Sequence, residues 1–119
     1  MIEGHCHCGA VRWVYPLTPE WLTRCNCSSC RRVNGLWAYA DRSLITLEYP
    51  ADGVVRYIHG DRCLALISCR TCGCTTHWES LEPEISTRMA VNVNMAEPDA
   101  IAGVRIRHFD GADSWEFLD

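Results

Sequence analysis

The chain has 119 residues, 48% of them hydrophobic and 22% charged, with a formal net charge of −4. That balance suits one soluble domain, 1–119, able to bury roughly two-thirds of its unfolded surface. All eleven basic residues are arginine, scattered from Arg12 to Arg107, so no basic patch or tail invites nucleic acid.

No run of about 18 apolar residues would span a membrane. The start, MIEGHCHCGAVRW, lacks the basic-then-apolar order of a secretion signal. The expected compartment is the cytoplasm, where thiols stay reduced.

The elements read mostly as strand. AVRWVY (10–15) is apolar and aromatic and is broken by PLTP, after which a helical turn is expected near Thr18–Leu22. LWAYA (36–40), LITLEY (44–49) and VVRYIH (54–59) follow, with PADG between the last two as a hairpin connection. LALISC leads into a CxxC and TTHWESL leaves it.

MAVNVNM alternates Met89, Val91, Val93 and Met95 with Ala90, Asn92 and Asn94, the period of a half-buried strand. A short turn is expected at Asp99–Ala102. VRIRHF and SWEFL then flank DGAD as a second hairpin. The expectation is an antiparallel β-rich domain with its cysteines at turns and strand ends.

Nine cysteines fall into groups: Cys6 and Cys8; Cys25, Cys27 and Cys30; Cys63; Cys69, Cys72 and Cys74. An odd count without a secretion signal argues against a disulfide framework, and the short spacings suit metal chelation. CRTCG (69–73) can bring two sulfurs to one ion from a tight turn. CHCG (6–9) must bend: on a straight strand the side chains of Cys6 and Cys8 stand about 7 Å apart. Sulfurs on one tetrahedral zinc are only about 3.8 Å apart. Together the two pairs make a closed Cys₄ site, structural in kind.

CNCSSCRR (25–32) supplies three more thiols, and three protein ligands leave a zinc one place open. Three thiolates make zinc a weak Lewis acid, better at holding a fourth sulfur than at activating water. Arg31 and Arg32 would offset the negative charge and receive an anionic substrate. Cys63, Cys74, His5, His7, His59, His77 and Asp41 stand as alternatives that would close the site with a fourth ligand. Iron is the lesser alternative to zinc. Trp37, Trp78 and His77 read as packing residues before pocket walls, and Cys63 and Cys74 as buried small hydrophobes.

GHCHCGAVRW, CNCSSCRRVNG, CRTCGCTTHW and the late segment from MAVNVNM onward together resemble the glutathione-dependent formaldehyde-activating enzyme (GFA) and centromere protein V family. The resemblance implies an Mss4-like fold of β-sheets around two zincs. It implies Cys6, Cys8, Cys69 and Cys72 as structural ligands, and Cys25, Cys27 and Cys30 as ligands of a catalytic zinc. The implied activity is a carbon–sulfur lyase reaction joining formaldehyde to glutathione, or its reverse. The rival expectation is a non-catalytic zinc module that carries glutathione or metal, or serves as an interaction domain.

Overall fold

A computed structural model describes residues 1–119. The chain runs through β1 (Ile2–His5), β2 (Arg12–Tyr15), β3 (Leu22–Cys25), β4 (Trp37–Asp41), β5 (Thr46–Glu48), β6 (Val54–Ile58), β7 (Leu64–Cys69), β8 (Thr75–Ser80), β9 (Arg88–Asn92) and β10 (Ile106–Phe109). Short 3-10 turns occupy Arg42–Leu44, Val93–Met95 and Pro98–Ile101. Strands β1, β2 and β5 form a three-stranded sheet; the others form a seven-stranded sheet in the order β10-β3-β4-β9-β8-β7-β6. The fold is therefore mostly β, as expected. No helix is long and apolar enough to cross a membrane.

The main core lies between the two sheets. Ile2, Trp13 and Tyr15 come from the small sheet, and Leu22, Ala38, Met89 and Val91 from the large one. Alternating side chains of each strand supply the inward set. A second cluster holds Cys6, Val11, Val54, Ala65, Ile67 and Cys69, so sulfur itself is part of the packing there. A third, on the outer face, gathers Trp37, Leu66 and Ala90, with Cys30 and Trp78 at its margin.

Four expectations change. The alternation in MAVNVNM forms β9 only as far as Asn92, then turns at Val93–Met95. Nor is β9 half-buried, because it sits fourth of seven strands with both faces covered. Asn92 is tolerated in the core because both ends of its amide are hydrogen-bonded. Its Oδ1 accepts from the N–H groups of Leu36 and Asn94 at 3.2 Å each, and its Nδ2 donates to the Thr75 carbonyl at 3.0 Å.

PADG is not a hairpin. Gly53 N–H does close on the Pro50 carbonyl at 2.8 Å, but β5 and β6 belong to different sheets. The expected helical turn at 18–22 does not form: residues 18–21 are irregular, and β3 begins at Leu22. That strand pairs with β10 in parallel, from Ile106 opposite Leu22 to Phe109 opposite Cys25. This is the one departure from antiparallel pairing within the large sheet, and it places the end of β10 beside Cys25. The second hairpin forms, but it is short: one antiparallel bridge joins Phe109 to Phe117, flanked by Asp110 N–H donating to the Glu116 carbonyl and Leu118 N–H to the His108 carbonyl, both at 2.8 Å.

Candidate metal centres

The two pairs expected to share an ion arrive by loops of the same design. After β1, Cys6 N–H donates to the Val11 carbonyl at 2.9 Å and Gly9 N–H to the Cys6 carbonyl at 3.0 Å. After β7, Cys69 N–H donates to the Cys74 carbonyl and Gly73 N–H to the Cys69 carbonyl, both at 2.9 Å. Gly9 and Gly73 have φ of +82° and +81°, a region costly to any residue with a Cβ. This left-handed step is how the CxC bends enough to chelate.

The sulfurs of Cys6, Cys8, Cys69 and Cys72 lie within 4.8 Å of one another. Cys6 and Cys8 are 3.7 Å apart and Cys8 and Cys69 3.6 Å, close to the edge of about 3.8 Å in a tetrahedral zinc–sulfur site. Val11 N–H also donates to Cys6 Sγ at 3.3 Å. The donor set fits a divalent soft-ligand ion such as zinc.

Cys25, Cys27 and Cys30 form a separate group with the same 4.8 Å limit, and no fourth His, Cys, Asp or Glu joins it. Cys25 ends β3. The turn that follows is closed by Arg31 N–H donating to the Cys27 carbonyl at 3.1 Å. Backbone N–H groups of Cys27 and Cys30 point at the sulfurs of Cys25 and Cys27, at 3.5 and 3.4 Å.

Packed thiols share their protons unequally. The Cys25 thiol is pulled down to about 6, first by hydrogen bonding with Cys30, helped by the N–H groups of Cys27 and Gly111. Cys30 is pushed far up, first by the same contact with Cys25 and then by burial. A bound cation would displace those protons altogether. This group too fits a soft-ligand metal.

Arg31 and Arg32 lie exposed on the turn just past Cys30; Arg32 Nη1 donates to the Ser28 carbonyl at 2.8 Å. Trp37 is buried in the outer-face cluster. His77 is fully buried, its Nδ1 2.9 Å from the Thr76 hydroxyl and its ring 5.9 Å from that of Tyr49. Cys63 and Cys74 are half-buried, more open than expected. Cys63 N–H is drawn to Asp61, while Cys74 packs at the edge of the second cluster.

What sequence reasoning missed is the C-terminal contribution. Gly111 approaches so closely that a Cβ there would stand 2.6 Å from Cys25 Sγ. The only local signal was DGAD, which reads equally well as a hairpin turn.

The glutathione-dependent formaldehyde-activating enzyme family matches residues 1–106 of the chain. The chain belongs to this family. A Halomonas elongata protein provisionally named a glutathione-dependent formaldehyde-activating enzyme is 44% identical over 61 residues. That stretch is 50% of this chain and 35% of the relative, so the match spans about a third of the relative's length. The crystal structure of a Rhodobacter sphaeroides protein superposes with a TM-score of 0.71 at 31% identity, covering 88% of this chain and 99% of that one. The architecture is the mostly β, Mss4-like one of the GFA family.

Proposed function

We propose that the Cys25, Cys27 and Cys30 centre brings together a thiol, glutathione by the family's name, and a small aldehyde such as formaldehyde. The reaction makes or breaks the carbon–sulfur bond of their adduct, which is carbon–sulfur lyase chemistry. The observation that carries this is the pairing of a complete four-sulfur group with a three-sulfur group that no fourth side chain completes. In this reading Cys6, Cys8, Cys69 and Cys72 hold a structural zinc.

Zinc held by Cys25, Cys27 and Cys30 would supply one open coordination place and the positive charge to keep an incoming thiol ionised. The chain's own groups do the rest. The Cys27 N–H donates to the Cys25 sulfur and helps hold it as a thiolate. Arg31 and Arg32, on the adjoining turn, attract the carboxylates of a tripeptide thiol. The thiol's sulfur would add to the carbonyl carbon while the C=O electron pair moves to oxygen, which takes up the proton the thiol gives up, so no redox partner is needed. A reducing compartment such as the cytoplasm keeps both protein and substrate thiols reduced.

The test has two parts. Zinc-loaded wild type should bind glutathione and Cys27→Ser should not; equal binding removes the three-sulfur centre from the reaction. Formation of S-hydroxymethylglutathione is then timed with and without protein. A rate no faster than the spontaneous one turns the assignment into a thiol carrier.

A further inference from the structure

The turn after β10 is tied to the three-cysteine loop through Asn26, the residue between Cys25 and Cys27. Asn26 N–H donates to the Phe109 carbonyl at 3.2 Å, its Nδ2 to Asp110 Oδ1 at 3.0 Å, and Ala112 N–H to its Oδ1 at 3.0 Å. Within the turn, Asp110 Oδ2 accepts from the Ser114 N–H and hydroxyl at 3.1 and 2.9 Å, and Trp115 N–H reaches the Asp110 carbonyl at 2.8 Å. Gly111 lies on the Cys25 sulfur, and Trp115 Cζ3 is 3.6 Å from where a Gly111 Cβ would stand. The indole therefore hangs beside the sulfur group.

Trp115 meets Phe109 edge-on, ring centroids 5.2 Å apart, a contact that leaves most of the indole uncovered. It is 71% exposed, and its φ of +60° is left-handed, a strained backbone for a bulky residue. Other groups supply more of the anchoring. Arg107 covers the rings of Trp21 and Phe117 at 4.7 and 4.0 Å, and His108 pairs with Asp119 at 2.7 Å. A strained backbone that holds an aromatic ring in solvent next to a candidate centre points to a ligand on that ring. The turn also lies beyond the residues that the family matches, which end at 106.

We infer that turn 110–115 walls the substrate side of the three-cysteine centre and that Trp115 is its specificity-determining residue. Its indole face packs against the peptide body of the incoming thiol, so the site selects peptide thiols over small ones. The inference rests on the proposed reading that a thiol occupies this centre.

The experiment uses the full chain loaded with cobalt, whose thiolate charge-transfer band reports a new sulfur. Glutathione and 2-mercaptoethanol are titrated into wild type, Trp115→Ala and Trp115→Phe. Trp115→Ala should weaken glutathione about tenfold, in line with loss of one aromatic contact, leave 2-mercaptoethanol nearly unchanged, and keep the cobalt content. Trp115→Phe should recover most of the affinity. Glutathione affinity unchanged in Trp115→Ala, equal weakening of both thiols, loss of cobalt, or no recovery with Phe would each overturn the inference and leave the thiol-binding reading standing. If neither thiol alters the wild-type band, that reading falls and takes the inference with it.

Discussion

The two sulfur groups use the same donor atom but are embedded differently. In the four-sulfur group Cys6 and Cys69 are 0% and 2% exposed and form part of the second core cluster, pinning the end of β1 against the end of β7. The three-sulfur group lies at the rim of the large sheet, with Cys27 and Cys30 half-buried. Beside it are a surface turn and a C-terminal segment; Cys25 is buried, and Cys30 packs only at the margin of the third cluster. An ion in the first group substitutes for hydrophobic packing that a chain this short has little of. In the proposed reading an ion in the second would have less folding work to do, which would free that place for chemistry.

The strongest way to break this contrast is to remove one ligand from each group. Structural zinc sites contribute on the order of 10 kcal/mol to the folding of small domains, comparable to the whole stability of a typical domain. Cys69→Ser should therefore abolish cooperative thermal unfolding, or leave protein that is insoluble without added zinc. Cys27→Ser should unfold cooperatively within a few degrees of wild type while losing about one zinc per chain by elemental analysis. If both variants lose stability equally, the second group is structural as well.

The contrast between the groups was largely legible in the sequence, because chelating spacing is local. CxC and CxxC followed by glycine carry their own turn geometry at 6–9 and 69–73, and CNCSSC needs only one turn of chain. The strands around Leu64–Cys69 and Thr75–Ser80 were legible for the same reason. What escaped was set by partners far along the chain. Leu22–Cys25 did not read as a strand because nothing nearby shows that Ile106–Phe109 will lie alongside it. Asn92 looked solvent-facing because its partners, Leu36 and Thr75, lie 56 and 17 residues away. Gly111 and Trp115 read as a hairpin turn and nothing more because the sulfur they meet is far away along the chain.

A smaller effect separates ordinary ionic stability from the sulfur centres. Glu79, only 13% exposed, has Oε1 2.8 Å from Arg42 Nη1 and 3.5 Å from His77 Nε2. Its carboxyl is held at about 2, below the usual 4.5, first by His77 and also by Arg42, against the opposing effect of burial. A carboxyl depressed by folding adds stability above the unfolded value, and that stability is lost as pH falls from about 4.5 through about 2. Arg42 is largely exposed, so solvent screening limits the contribution to about 1 kcal/mol. Wild type should exceed Glu79→Gln by that amount in urea unfolding at pH 7, with the gap steady to pH 5 and closing below. A gap that widens on acidification would reverse the sign. Metal release in acid lowers both chains together and leaves the difference readable.

The smallest expected effect tests whether charge beside the open centre works at long range or by contact. Arg31 is exposed on the turn after Cys30, while Arg32 is already engaged with the Ser28 carbonyl. Exposed pairs are worth about 1 kcal/mol or less, so Arg31→Gln should weaken glutathione binding by about threefold, and Arg32→Gln by less. Raising ionic strength well beyond 0.15 M, where the screening length is already about 8 Å, should erase the difference between Arg31→Gln and wild type. A thiol without a carboxylate should show no difference at any salt concentration. Were Arg31→Gln to cost a hundredfold and resist salt, the arginine would be a direct, desolvated contact to the substrate, and the rim of the second centre would be far less open than the contrast with the first requires.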